Sequence, residues 1–233
     1  MEITRIRMLR GPNLWSRHTA LEAIVSCDES ERSIDSIPQF EIKIRERFPQ
    51  LGSMRRGGHN EVLSLAHALE HAALGLQAQA GCPVTFSRTV QTVDAGVYQV
   101  VVEYTEEVVG RMAFDFGFAL IQATLNDAPF DLAAALSELE ALYEDVRLGP
   151  STGSIVDAAV QRNIPYRRMT EGSMVQFGWG SKQKRIQAAE TSDTSAIAEA
   201  IAQDKELTKN LLAAAGVSVP IGEVVTTADD AWR

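Results

Sequence analysis

The sequence predicts an α/β fold of the α+β kind: a mixed sheet with helices packed on it, followed by a small α/β lobe. Three observations predict it. A helical run from about Asn60 to Ala80 is apolar on two sides. Two apolar stretches, Val84 to Val93 and Val97 to Tyr104, flank the turn Asp94-Ala95-Gly96 and read as a hairpin. After Ser151 the texture changes to short segments broken by glycine and proline.

The composition is that of a core-forming chain. Of 233 residues, 45% are hydrophobic and 23% charged, enough to bury a core in one or two domains. The net charge of −9 argues against nucleic acid and anionic membrane as partners and is compatible with a cationic one. Cys27 and Cys82 stand far apart with no CxxC, so they read as reduced, buried thiols. Charges at Glu2, Arg5 and Arg7 fall where a signal peptide needs an apolar core. No apolar run reaches the ~18 residues that suggest a span. A cytoplasmic protein is the expectation.

Taken in order, Ile3 to Leu9 reads as a strand ended by Gly11-Pro12-Asn13. Leu21 to Val25 reads as a second strand, and Asp28 to Asp35 is polar and acidic. A helix follows Ile37-Pro38, with Phe40, Ile44 and Phe48 on one face, and Pro49 ends it. The loop from Leu51 to His59 holds Arg55-Arg56-Gly57-Gly58. Gly81 and Pro83 close the next helix. Thr105 is placed to cap a helix from Glu106 to about Leu125. Another helix spans about Asp131 to Arg147, and Leu148-Gly149-Pro150-Ser151 marks a boundary, giving units 1–149 and 150–233. Ser151 is placed to cap a helix through about Arg162. Asn163 to Tyr166 turns into a short strand, and Met174 to Gly180 is another. The basic run Lys182 to Ile186 reads as a solvated face or an anion contact. Asp193 to Gln203 and Asp204 to Ala215 are helical. Val217 to Pro220 and Glu223 to Val225 read as short strands, and Asp229 to Arg233 as a helix just beginning, the pattern of a fragment.

The helix from Asn60 carries the chemistry. At ~100° per residue, Val62, Leu65, Leu69, Ala72, Ala73 and Leu76 form one apolar stripe. His67, Glu70 and His71 form a second face, shared by Leu63 and Leu74. Two imidazoles at i and i+4 can hold a metal, and a Glu beside them can polarise a bound water. H-x-x-E-H is the inverse of the zincin order. Inverse-type sites take a third ligand from a downstream Glu, and Glu103 and Glu107 are the candidates. Glu107 reads equally as a helix-dipole carboxylate. Glu103, inside a strand, would be costly if buried without a partner. The competing reading makes the His-Glu-His face a packed, hydrogen-bonded element. His59 is a further imidazole upstream, and it reads also as a solvated loop residue.

Four stretches resemble the cyanophycin synthetase family. Leu9-Arg10-Gly11-Pro12-Asn13-Leu14-Trp15-Ser16 is similar to its opening LRGPNxWS, and His67 to Gln77 to its HxxEHxALxLQ. Gly96 to Tyr104 is similar to PGVYQVVxEY, with Ala95 in place of the Pro, and Leu148 to Thr152 to LGPST. Asp204 to Lys209 through Gly216 to Pro220 also resembles the entry to ATP-grasp domains. The resemblance implies an ATP-dependent amide ligase that polymerises aspartate and arginine into multi-L-arginyl-poly-L-aspartate. ATP and Mg²⁺ serve the full-length enzyme, which is expected to be a homo-oligomer; no ATP-binding residue is assigned within this chain. Residues 1–149 are then a polymer-holding domain, with Arg55, Arg56 and His59 as polymer-binding residues. Residues 150–233 are the first lobe of an ATP-grasp domain. The alternative is a zinc hydrolase that trims the polymer: His67, His71 and a Glu hold Zn²⁺, and Glu70 is the base.

Overall fold

The computed structural model describes residues 1–52, 54–55, 62–188, 190–222 and 224–232. Four strands, β1 (Glu2–Leu9), β2 (Ala20–Ser26), β3 (Ser87–Gln91) and β4 (Val97–Glu103), form one sheet in the order β1-β2-β4-β3. Every pairing in it is antiparallel. The fold class is therefore the expected mixture of helix and strand, but the sheet is antiparallel and not mixed. The β1–β2 and β3–β4 connections are too short for the crossover that a parallel pair needs. At the β3–β4 turn Gly96 has φ +83°, and a Cβ there would lie 2.7 Å from the Cys27 carbonyl oxygen. Only glycine takes that conformation and that proximity together without strain.

On one face of this sheet Leu21, Ala23 and Val25 pair with Val102, Val100 and Tyr98. All six belong to the main core. That face is covered by α2 (Leu65–Gln79) and α3 (Glu107–Leu125), and α1 (Phe40–Arg47) and α4 (Leu132–Val146) pack against these and join the same core. Leu65, Leu69 and Leu76 of α2 and Phe114, Leu120 and Ile121 of α3 are fully buried. Each such side chain contributes roughly 1.5–3 kcal/mol relative to exposure. α2 and α3 lie close together: a Cβ on Gly117 would sit 3.2 Å from the Ala73 amide nitrogen. Cys27 and Cys82 are buried and unpaired with each other, as expected.

Several boundaries differ from those predicted. α2 begins at Leu65, because Ser64 and His67 close a capping box there. Val62 precedes the helix and is 68% exposed, so it is not part of the apolar stripe. The N-cap of α3 is Glu106 in place of Thr105. By length and composition alone α3, with 19 residues, could cross a membrane, which the apolar-run test did not flag. Its buried face packs in the core. Asp131 caps α4, accepting from Ala134 N at 2.9 Å. α5 (Pro150–Gln161) starts one residue before Ser151: Gly149 is its N-cap and Pro150, whose fixed φ suits a first turn, is its first residue.

The second sheet is β5 (Tyr166–Arg168), β6 (Met174–Phe177), β7 (Lys184–Gln187) and β8 (Glu190–Thr191), in that order and antiparallel. Val175 and Ile186 pack with Val156 of α5 in a separate small cluster. In the basic run, Lys184 pairs with Asp193 at 2.6 Å. α6 (Ala196–Gln203) and α7 (Lys205–Ala214) follow, with no buried residue in either, and α8 (Ala228–Ala231) comes last. Residues 217–222 and 224–226 carry no strand, and Glu223 lies outside the described residues. Among the described residues no strand pairs with them, and an unpaired strand is not stable in water.

Candidate functional site

His67, Glu70 and His71 share a face of α2, as the spacing predicts. Glu70 is 2% exposed and the two imidazoles are half-buried. His67 has a structural task. The Ser64 backbone N–H donates to its Nδ1 at 3.1 Å, and Ser64 Oγ lies 3.0 Å away. An Nδ1 that accepts carries no proton, so in the neutral ring the proton sits on Nε2. Ligation through Nε2 would move that proton to Nδ1 and cost the helix its cap. The His67 ring also meets the Tyr98 ring edge-on, with centroids 5.8 Å apart.

The two carboxylates expected as a third ligand are not brought to these imidazoles. Val102 faces the helices, so its neighbour Glu103 points to the other side of the pleated sheet. There its carboxylate is 6% exposed and accepts from Thr85 N at 2.8 Å and Phe86 N at 2.7 Å. The partner that a buried carboxylate needs is thus a pair of backbone amides. Glu107 lies at the start of α3, ten residues before the Gly117 that abuts α2, or ~15 Å along the helix axis. Arg10 grips it with two hydrogen bonds, at 2.6 and 2.9 Å, which hold its carboxyl below the usual carboxylate range. Among the described residues no group of three His, Cys, Asp or Glu side chains could hold a metal ion. Among the described residues the donor set therefore lacks the third ligand that a zinc centre needs. Of the residues expected to hold polymer, Arg55 pairs with Asp35 at 2.5 Å, and Arg56 and His59 lie outside the described residues.

A second site forms where the first sheet and its helices meet the second sheet. The loop between β1 and β2 is built around Asn13. Its side-chain amide donates to the Gly11 and His18 carbonyls, and its Oδ1 accepts from the Trp15 and Ser16 amides. Trp15 Nε1 and Arg7 then satisfy the buried carboxylate of Glu22. The opening motif therefore has a mechanical purpose: it makes a rigid loop. That loop reaches the second unit. A Cβ on Gly11 would lie 3.5 Å from the Trp179 ring, and Arg17 donates to Asn163 Oδ1 at 3.0 Å.

Arg168, on β5 of the second sheet, reaches the ends of the helices packed with the first. Its Nη1 donates to Glu106 Oε2 at 2.7 Å and to the Val146 carbonyl at 2.6 Å, and its Nε donates to the Gly172 carbonyl at 2.9 Å. Burial raises the Glu106 carboxyl above its ordinary pKa, and the Arg168 guanidinium only partly opposes it. Around this clamp lies a cleft of about 680 Å³, whose wall includes Arg10, Glu107, Asp145, Arg167 and Glu171. Burial pushes the pKa of Tyr166, also in the wall, up to about 12. Sequence reasoning assigned only Glu107 of these residues. Arg167-Arg168 was visible as a charged pair next to a turn, but nothing in its spacing told of the helix ends it would meet.

Residues 23–126, from β2 to the end of α3, match the family model described as cyanophycin synthase-like N-terminal domain. That stretch is similar to the family, and the match does not extend to residues 127–233. It is 37% identical to the cyanophycin synthetases of Trichormus variabilis and of a Nostoc species, over 99% of this chain and 27% of each relative. It is 36% identical to that of Geminocystis herdmanii, over 99% of this chain and 28% of the relative. The chain thus spans about a quarter of the length of the curated relatives it matches. The cleft straddles the edge of the matched domain: Tyr104 to Val108 lie inside it and Arg167 to Glu171 beyond it.

Proposed function

We propose that this chain is the N-terminal portion of a cyanophycin synthetase and that its part is to hold the growing polymer. The observation that carries the reading is the reach of the similarity. Identity of 35–37% extends over 97–99% of the chain, well beyond the matched domain. On this reading residues 1–149 form the polymer-holding domain and residues 150–233 the first lobe of an ATP-grasp domain. The enzyme to which they belong is an ATP-dependent ligase that joins aspartate and arginine through amide bonds in the cytoplasm, as a homo-oligomer. ATP and Mg²⁺ serve its ligase centre, and the residues of this chain are not assigned to that centre. The net charge of −9 suits a polymer that displays guanidinium groups.

Holding is favoured over trimming because, among the described residues, no third ligand joins the imidazoles of the His67 face. Its first imidazole caps a helix, and both expected carboxylates are engaged elsewhere. The test is retention of the purified chain on immobilised cyanophycin, with and without a chelator, while soluble product is monitored. Retention that survives chelation, with no product released, is expected. Release of soluble fragments that Glu70→Gln abolishes would replace this reading with the hydrolase. Failure of the chain to be retained would overturn it.

A further inference from the structure

We propose that the cleft at the Arg168 clamp is the grip itself, a site for a peptide segment that carries carboxylate and guanidinium groups together. This rests on the polymer-holding reading and moves the contact from the loop around Arg55 to the junction of the two units. The cleft's volume of about 680 Å³ lies inside the ~300–1,000 Å³ typical of ligand sites. Its charges fall into two sets. Arg10 with Glu107 and Arg168 with Glu106 are paired and form the walls. Arg167, Asp145 and Glu171 line the same cleft, and their side chains have no ion pair or hydrogen bond among the described residues. Opposite charges that are held apart in one cleft can each take an opposite charge from a ligand. A ligand of one sign only would meet repulsion at one of them.

The unpaired groups are also held in place. Arg168 donates to the carbonyls of Val146 and Gly172, the neighbours of Asp145 and Glu171 in the chain. Arg167 is its own neighbour, on β5. One guanidinium thus fixes the backbone that carries all three charges. Such preorganisation lowers the ordering cost of binding. Arg55, by contrast, is already paired with Asp35.

The experiment compares retention on immobilised cyanophycin of the parent chain, Arg167→Glu, the double variant Asp145→Lys/Glu171→Lys, and two controls at exposed charges outside the cleft, Arg185→Glu and Glu140→Lys. Each cleft variant should weaken binding by about tenfold or more, as expected for charges that meet a complementary partner, and the controls should change it little. Free poly-L-aspartate and poly-L-arginine should each compete less well than soluble cyanophycin fragments. If the parent binds and the cleft variants match the controls, the grip lies elsewhere and the polymer-holding reading survives. If either homopolymer competes as well as the fragments, the two-charge requirement is wrong. If the parent does not bind, the polymer-holding reading falls, and this assignment with it.

Discussion

Val100 on β4 and Val175 on β6 are both completely buried valines on interior strands, yet they belong to cores of very different size. Val100 sits in a cluster that takes in residues of β1, β2 and β4 and of all four helices α1 to α4. The buried members of the Val175 cluster are Val175, Val156 and Ile186. Beyond it, α6 and α7 bury nothing and expose Ile197, Leu207 and Leu211. Full burial of one side chain therefore says little about how firmly its region is held. The first region is stabilised by its own apolar area. The second depends on contacts with the first: the polar ones of Arg168 with Glu106 and Val146 and of Arg17 with Asn163, and the Trp179 ring over Gly11.

The largest effect should come from the first core. Leu69→Ala should cost roughly 2–5 kcal/mol of unfolding free energy, the range for leucine in a packed interior. Val175→Ala should cost only about 1–2 kcal/mol, the value of the methyl groups lost. It should also leave the main transition in denaturant where it was. If Val175→Ala displaced the main transition as far as Leu69→Ala, the two regions would share one core and the contrast would fail.

Arg168→Ala sharpens the contrast. It leaves the half-buried Glu106 carboxyl without its partner and should cost about 1–3 kcal/mol. Amide exchange should quicken across residues 165–187 and stay unchanged in β2 and β4. The pH dependence has a definite sign. Burial raises the Glu106 pKa in the fold, so the folded state holds this proton more tightly than the unfolded chain does. The stability linked to it is present below the ordinary carboxylate range and is lost as pH rises through the raised value. Without Arg168 the raised value moves higher, so the loss should begin in the same ordinary carboxylate range but continue to higher pH. An unchanged pH–stability profile would mean that the clamp does not act on Glu106.

The smallest effect at neutral pH concerns the thiols, both in the first region. Burial raises Cys27 and Cys82 from 9.0 to about 11, so both are protonated and unreactive at neutral pH. Their contribution to stability is complete below pH 9.0 and is lost as pH rises through about 11. A thiol reagent at neutral pH should react only as fast as the first region opens. Arg168→Ala should leave that rate unchanged, whereas Leu69→Ala should raise it. Equal acceleration by both variants would show that the regions open together.

Much of the fold was legible in the sequence because its signals are local. Alternation and a glycine turn marked the β3–β4 hairpin, spacing marked α1, α2 and α4, a capping signal marked α3, and separation without a CxxC marked the thiols as buried. The boundaries went wrong where caps compete: Ser64 with His67 opened α2 later than its periodicity suggested, and Gly149 with Pro150 opened α5 two residues earlier than a Ser151 cap would. β8, with two residues, is too short to show any period.

The candidate site divides in the same way. The sequence by itself determined that His67, Glu70 and His71 share a face, because helical rotation is a local property. It also determined that Glu103 faces away from Val102, because pleat parity is local too. Only the tertiary structure decided which side of the sheet α2 would cover, and so sent Glu103 away from the imidazoles. Only the tertiary structure brought Arg10 to Glu107 and Arg168 to Glu106, residues far apart in the chain. Charge pairs of that kind leave no periodic trace. They form where packed elements happen to end, and the cleft at the clamp is made of such ends.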